Sequence, residues 1–391
     1  MSVNIICMNT KKAKILSVLS VIGHPRDSKR ISMISELNYK IEAVAFERDY
    51  HKGRLPECDV IFLGKISHGK YLNRIFKMIL ALPKIRKAVK KNDLIYASGL
   101  DMAAMSLIAR IGLKKPLIVE IGDIREIQVQ KGLKGSIVRW FDKKIVNSSS
   151  LIVVTSPPFL NIYYRQWIGT TTKGLIIENK LEGNFLGNEY IDKIDNDNLN
   201  FETKPFRIGY FGLLRDEWSL KVLKAWALSN PDKIEIVLAG LPMEHNIETI
   251  ENMIKINNIK YMGQYKSPQD LPKIYGSVDM VWACYPAIHP DDWNLKWARP
   301  NRFYESCFFQ KPTFTRSGCQ DAIDVIKFDI GKIIEGNEIE EVVSVLNTIK
   351  INDLLKWKEN MKKLPDSVYI YTSESSDLNN AIEEILIKNK I

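Results

Sequence analysis

No apolar run in this 391-residue chain approaches the roughly 18 residues that a membrane-spanning helix needs, so no span is expected. Cysteine is scarce. The five residues (Cys7, Cys58, Cys284, Cys307 and Cys319) are scattered, odd in number and outside any metal-ligand spacing. That argues against a disulfide framework and fits thiols kept reduced in a cytoplasm. Residues 1–20 have neither a long apolar core nor a small-residue cleavage site, so no signal peptide is read there. No G-x-G-x-x-G follows the first strand of either half, which argues against a nicotinamide-dependent dehydrogenase. No Ser/His/Asp or Cys/His arrangement stands out. The basic balance, with a pI near 9.1, comes without a recognised nucleic-acid module or aromatics interleaved on a basic sheet, so nucleic acid is not the expected partner.

Acid is missing from one long stretch. Residues 65–91 hold nine basic residues and no Asp or Glu. Arg74, Lys77, Lys84, Arg86 and Lys87 alternate there with Ile75, Phe76, Met78, Ile79, Leu80, Leu82, Ile85 and Val89. A basic amphipathic helix of this kind can lie in a headgroup layer, although Pro83 is expected to break or kink it. The plain alternative is a core-packed helix with a solvated basic face. The wider charge is lopsided too. Residues 1–200 carry 32 Lys/Arg against 19 Asp/Glu, a surplus of 13, whereas the remainder has 24 against 27. The first half therefore expects an anionic partner, and the reading taken is peripheral attachment to the inner face of a cell membrane.

What is present is the composition of a globular chain, 45% hydrophobic and 26% charged, long enough for two or three domains. Apolar strands alternate with helices. In the first half strands are expected near Ala13–Ile22, Ile41–Phe46, Val60–Leu63, Leu94–Ala97, Leu117–Ile121 and Leu151–Val154. Residues 181–205 are rich in Asn, Asp, Glu and Gly and read as a linker. The pattern then restarts with strands at Arg207–Phe211, Ile234–Ala239, Ile259–Met262, Met280–Cys284 and Thr313–Arg316. Continuous apolar strands separated by helices imply parallel sheets covered on both faces. The expectation is an α/β protein of two Rossmann-like domains, 1–185 and 206–370, facing each other across a cleft. A terminal helix at about 375–391 can pack back on the first. Ligands of such sheets sit at the carboxyl ends of the strands.

The most informative segment is Arg299-Pro300-Asn301-Arg302-Phe303-Tyr304-Glu305, followed by a Lys311-Pro312 turn into a buried strand. It reads as a helix starting at or just after Pro300. The free N–H groups of a helix start favour an anion, Arg302 adds a fixed positive charge, and Glu305 lies one turn on. Phosphates at the helix start and ribose hydroxyls on the carboxylate would suit a nucleoside diphosphate. An ordinary capped helix, with Glu305 paired to Arg302 or Arg299, is the rival reading.

Residues 207–318 resemble, as an ordered set, the nucleotide-sugar domain of GT-B glycosyltransferases, nearest the large family 4 of polysaccharide-assembly type. The carriers are Ile208-Gly209-Tyr210-Phe211-Gly212, Val237-Leu238-Ala239-Gly240, Met262-Gly263-Gln264-Tyr265 with Leu271 and Tyr275, and Pro300-Asn301-Arg302-Phe303-Tyr304-Glu305. In the first half, Val119-Glu120-Ile121-Gly122-Asp123-Ile124 resembles the strand end of members that act on lipid-linked sugars. The chain departs from the family where a first Glu is common, eight residues before Glu305: Trp297 stands there, with Asp291 and Asp292 nearby.

The resemblance implies a hexosyl transferase, of the retaining kind, that moves a sugar from a UDP-linked or other nucleotide-sugar donor. The acceptor would be a polyprenyl-diphosphate-linked or other glycan, in surface-polysaccharide assembly, with no obligatory metal or other cofactor. Donor-binding candidates are Gly212, Arg215, Gly240, Gly263, Tyr265, Tyr285, Asn301, Arg302 and Glu305. Gly212 admits backbone N–H groups close to phosphate, and Arg215 and Arg302 offer positive charge. Gly23 and His24 are acceptor-side candidates, and Asp123 is the candidate to orient or deprotonate the acceptor hydroxyl. Arg74, Lys77, Lys84, Arg86 and Lys87 are the membrane candidates. The alternatives are a nucleotide-sugar 2-epimerase of the same fold and a non-enzymatic basic binding protein.

Overall fold

The computed structural model describes residues 13–47, 55–66, 71–183, 205–284 and 293–389. The chain divides into two compact units: Met1–Glu178 together with Ser373–Ile391, and Asn179–Thr372.

The first unit holds seven strands: β1 (Lys14–Leu19), β2 (Lys40–Glu47), β3 (Asp59–Lys65), β4 (Leu94–Ser98), β5 (Leu117–Ile121), β6 (Leu151–Val154) and β7 (Gly174–Ile176). They form one sheet in the order β3-β2-β1-β4-β5-β6-β7, and every neighbouring pair is parallel. Its helices are α1 (Pro25–Glu36), α2 (Tyr71–Lys91), α3 (Leu100–Ala109), α4 (Glu126–Val129), α5 (Leu133–Asn147) and α6 (Phe159–Ile168), the last wound as a π-helix. The β4, β5 and β6 strands are buried at every position. This is why they read as unbroken apolar runs rather than alternating ones. Right-handed crossovers put α2, α3 and α5 on one face of the sheet, where α3 packs against both neighbours. Strand order reverses between β1 and β4, so the loops after these strands open a crevice at the carboxyl edge.

The α2 helix differs from expectation. It runs unbroken for 21 residues with Pro83 inside it. Pro83 lies on the exposed side, where water can take the carbonyl that its ring leaves without a donor.

The second unit holds β8 (Phe206–Leu214), β9 (Ile234–Pro242), β10 (Ile259–Tyr261), β11 (Met280–Trp282), β12 (Thr313–Arg316) and β13 (Gly331–Ile334). Their order is β10-β9-β8-β11-β12-β13, again parallel throughout. Its helices are α7 (Glu217–Ser229), α8 (Ile247–Met253), α9 (Leu271–Gly276), α10 (Trp293–Trp297), α11 (Asn301–Phe308), α12 (Gln320–Phe328), α13 (Ile339–Leu346) and α14 (Ile351–Lys362). A final helix, α15 (Glu374–Lys388), returns to the first unit, where it contacts α1. Trp226, Trp282 and Phe314 form the aromatic centre of the core on one face, and Phe211, Tyr275 and Phe309 form that of the other.

The first residue of the expected linker, and the lysine before it, belong to the second unit's structure. Leu181 is buried in it, donating its N–H to the Tyr369 carbonyl (2.8 Å) and accepting from the Tyr371 N–H (3.0 Å). Lys180 donates to the Ser367 carbonyl at 2.6 Å. A single leucine in a polar stretch carries no periodicity, so nothing in the pattern marks this anchor.

The β8 and β9 strands run side by side through Gly212 and Gly240, which pair in register. Gly240 has φ of +125°, and a Cβ there would sit 1.9 Å from the Gly212 carbonyl oxygen. Replacing Gly240 by Ala should therefore destabilise the second unit by about 2–4 kcal/mol, read by urea unfolding. A stability equal to the parent chain's would show that the two strands can part without cost.

Candidate functional site

In the second unit the candidate residues gather on the carboxyl edge of the sheet. Helix α11 is held there from three sides. Its apolar positions Phe303, Tyr304 and Cys307 bury into a cluster with Ile330 and Met361. Pro300 takes the N-cap rather than the first helical position, with φ −72° and ψ 148°. Arg302 reaches back to β8, where Nη1 donates to the Phe211 carbonyl at 3.1 Å and the guanidinium lies 4.8 Å from the Tyr210 ring centre. That fixes a cation beside Gly212, whose φ of +98° turns the backbone at the strand end.

Glu305 is buried, and its Oε2 accepts the Tyr275 hydroxyl at 2.7 Å. Tyr275 in turn stacks on Phe309 at 4.7 Å. Burial, with Glu305 next, raises the Tyr275 phenol well above its ordinary value, so it remains a donor. Tyr265 closes the group. Its Oη lies 3.9 Å from where a Gly212 Cβ would stand, and burial, then the Glu305 charge, push its phenol upward.

Thus Gly212, Gly240, Gly263, Tyr265, Arg302 and Glu305 come together. The Gly240 N–H also donates to the Gly263 carbonyl at 2.8 Å. Asn301 lies at the same helix start and accepts from Asn179 Nδ2 at 2.6 Å. The Arg215 side chain is exposed, and its carbonyl is bonded to His245 Nε2 at 3.1 Å. Tyr285, Asp291 and Asp292 lie outside the described residues. Arg299 is engaged on α12, 2.8 Å from Asp324 and 3.0 Å from the Gln320 carbonyl, with its guanidinium over Phe303. Trp297, at the position where the family often has Glu, is buried and lies against Trp293.

In the first unit the edge of β1, β4 and β5 carries a denser polar cluster. Glu120 on β5 is 1% exposed and is held by Arg30 (3.0 Å), the Tyr96 hydroxyl (2.5 Å) and Arg26 (3.8 Å). Burial alone would raise its pKa. Arg30 and Arg26 more than offset that, so it stays below the ordinary value. Arg26 lies across Gly122, where a Cβ would fall 1.2 Å from its Nη1. It also reaches Asp27 (3.7 Å) and Asp123 (3.8 Å). Asp27 is buried and accepts the Ser98 hydroxyl at 2.6 Å.

His24 caps α1 beside this group, 3.9 Å from Asp27, and Gly23 before it turns the chain with φ of +79°. Burial lowers the His24 pKa against the pull of Asp27, so the neutral ring dominates near pH 7. Asp123 is 63% exposed. Gly23, His24 and Asp123 therefore share one edge, as the sequence placed them.

The five basic residues read as membrane-facing are mostly bonded within the unit. Arg74 pairs with Asp101 at 2.6 Å, and Lys77 donates to the Lys65 carbonyl at 2.6 Å. Lys84 donates to Phe62 at 3.4 Å, and Arg86 bonds the Ala109 and Ile111 carbonyls at 2.8 and 2.7 Å. Lys87 is exposed.

Sequence reasoning gave no role to Arg26, Arg30 or Asp321. The signal for the first two was a pair of arginines at i,i+4 after a strand, opposite the one carboxylate inside an apolar strand. Asp321, in the first turn of α12, is 1% exposed, and among the described residues neither carboxylate oxygen has a hydrogen-bond partner. Burial pushes its pKa up to about 6 against the pull of Arg299 and Arg302. A strand followed by Ser317-Gly318 and a carboxylate three residues on was the available hint.

Two parallel sheets of these orders, with the glycine-lined edge and α11 on the second, define the GT-B fold of glycosyltransferases. Solved structures agree across nearly the whole chain. HepE from Anabaena, solved in complex with UDP and glucose, superposes with a TM-score of 0.69 at 15% identity, covering 95% of this chain and 100% of that one. Sucrose-phosphate synthase from Thermosynechococcus elongatus gives 0.71 at 12% identity, covering 96% and 100%. No family profile matches the chain. Among curated proteins it is 26% identical to the succinoglycan biosynthesis protein ExoL of Rhizobium meliloti over 352 residues, 87% of this chain and 85% of the relative.

Asp321 gives a pH test. An acid whose folded pKa is raised above its unfolded value, near 3.9, supports the fold below about pH 4 and loses that support as pH rises through about 6. Asp321→Asn should therefore gain over the parent by about 2 kcal/mol more at pH 7.5 than at pH 4.5, measured by denaturant unfolding. An equal effect at both pH values would rule out ionisation of Asp321 as the cause.

Proposed function

We propose that this chain is a glycosyltransferase of exopolysaccharide assembly. It would transfer a hexosyl group from a nucleotide-sugar donor, UDP-linked, to a lipid-linked glycan acceptor at the inner face of the cell membrane. The observation that carries the reading is the placement of Arg302 and Glu305 beside the Gly212–Gly240 edge, reinforced by likeness to ExoL along most of both chains. HepE, a structural neighbour, has been solved with UDP-glucose, which supports the choice of nucleotide.

In this reading the diphosphate lies against the backbone at Gly212, with Arg302 and Arg215 compensating the charge that develops as the sugar leaves. Arginines in these positions supply positive charge at the phosphates, so no obligatory metal is part of the proposal. Glu305, steadied by the Tyr275 hydroxyl, accepts the ribose hydroxyls. Tyr265 and the backbone at Gly263 border the base. In the first unit Gly23 and His24 receive the acceptor. Asp123, held near Arg26, orients the attacking hydroxyl. The transfer is taken to retain configuration at the anomeric carbon, as the resemblance implies.

Calorimetric titration of UDP tests the donor half. The parent chain should bind UDP with micromolar to submillimolar affinity. Glu305→Gln and Arg302→Ala should each weaken it about tenfold, the loss of one charged hydrogen-bonding group. No binding at millimolar UDP would overturn the proposal.

A further inference from the structure

Helix α5 buries a carboxylate and exposes an apolar stripe. Inward lie Gly135, Val146 and Asp142, and Asp142, 1% exposed, accepts from Gln128 Nε2 (2.8 Å), Tyr163 (2.8 Å) and Tyr164 (3.2 Å). Gly135 is pressed so close that a Cβ would lie 1.9 Å from the Gln130 carbonyl oxygen. Arg139 ties the helix to the same segment, donating to the Gln128 and Gln130 carbonyls at 3.0 and 2.8 Å. The outward face is apolar. Leu133, Ile137, Trp140 and Phe141 are 77%, 47%, 55% and 56% exposed. Their spacing of i, i+4, i+7 and i+8 makes one continuous stripe. Rotating the helix to bury that stripe would strip Asp142 of three donors, so the exposed orientation is locked.

We propose that this face of α5 is where the chain docks on an anionic lipid bilayer. Lys131, Lys134, Lys143 and Lys144 flank the stripe and are exposed, and the only acid between residues 131 and 147 is the buried Asp142. Lys144 lies 5.7 Å from the Trp140 ring centre, an aromatic-and-cation pairing suited to the headgroup boundary. Aliphatics would enter the acyl edge while the lysines meet anionic headgroups. A second copy is a poorer occupant, because a self-paired contact sets the same lysines against one another.

Helix α5, rather than α2, is the principal element, since Arg74, Lys77, Lys84 and Arg86 of α2 are committed to bonds within the unit. The exposed Ile75, Phe76, Ile79 and Leu80 of α2 lie on the same layer, beyond α3, and would add a second contact. The inference leans on the glycosyltransferase reading only for its purpose, which is reaching a lipid-linked acceptor.

The test is co-sedimentation of the full chain with vesicles of phosphatidylcholine, alone or mixed with phosphatidylglycerol. UDP titration is run in parallel, so that failure of the donor site is seen separately. The parent should partition onto the mixed vesicles and be released by salt. Trp140→Ser with Phe141→Ser should lower partitioning about tenfold or more without changing UDP affinity. Lys134→Gln with Lys143→Gln and Lys144→Gln, all surface changes, should do the same on anionic vesicles only. Three results would each overturn the proposal. One is no partitioning of the parent. Another is parent-like partitioning of both variants, or its loss in Ile79→Ser with Leu80→Ser but not in the α5 variants. The third is a dimer in sedimentation velocity that the Trp140/Phe141 change disperses without any vesicle binding.

Discussion

A parallel sheet buried on both faces leaves one place for polar chemistry, the loops at its carboxyl edge, and this constraint organises both units. The interiors of β4, β5, β6, β8 and β9 are apolar because helices cover them on either side. Charge that enters such a sheet must bring its partners along. Glu120 does so, with Arg30, Arg26 and Tyr96 converging on one carboxylate. Asp321, at the start of α12 beside the sheet's edge, has no hydrogen-bond partner among the described residues, and burial leaves it with a raised pKa. A buried group kept without partners is one of the places where stability is given up, and such places cluster at functional edges.

The two edges solve the same problem differently. In the second unit the backbone leads: glycines at 212, 240 and 263 open the strand ends, and one helix contributes a cation and a carboxylate that are each fixed by a hydrogen bond to another element. An anionic ligand suits such a surface. In the first unit side chains lead: His24, Arg26, Asp27 and Asp123 interlock over Gly122, and three carboxylates (Asp27, Glu120 and Asp123) stand against two guanidinium groups (Arg26 and Arg30). That balance suits the orientation of hydroxyls better than the binding of phosphate.

Charge at the surface obeys a different rule from charge at the edge. The acid-free run of residues 65–91 looked like a solvent-facing basic helix, yet four of its cations bond carbonyls or Asp101 inside the unit. Long cationic side chains reach their partners across a helix surface, and composition cannot say which way they turn. Helix α5 shows the converse. Its apolar stripe has the spacing of a core face, and only the three donors around Asp142 reveal that it points outward.

The sequence alone determined two Rossmann-like halves, the strands of both sheets that carry the edges, and the α11 segment with Arg302 and Glu305. Those features follow from local rules: apolar runs of strand length, glycine at strand ends, a proline at a helix start. The GT-B class itself was legible only through the ordered resemblance of residues 207–318 to that family. Tertiary structure decided the rest. Glu305 bonds Tyr275 rather than standing against Arg299, which turns to Asp324, and Leu181 leaves the polar stretch to anchor on Tyr369. Arg26 joins three carboxylates that lie up to 97 positions away along the chain. Such pairings depend on which strands become neighbours, and strand order is a property of the packed sheet that no window of the sequence contains.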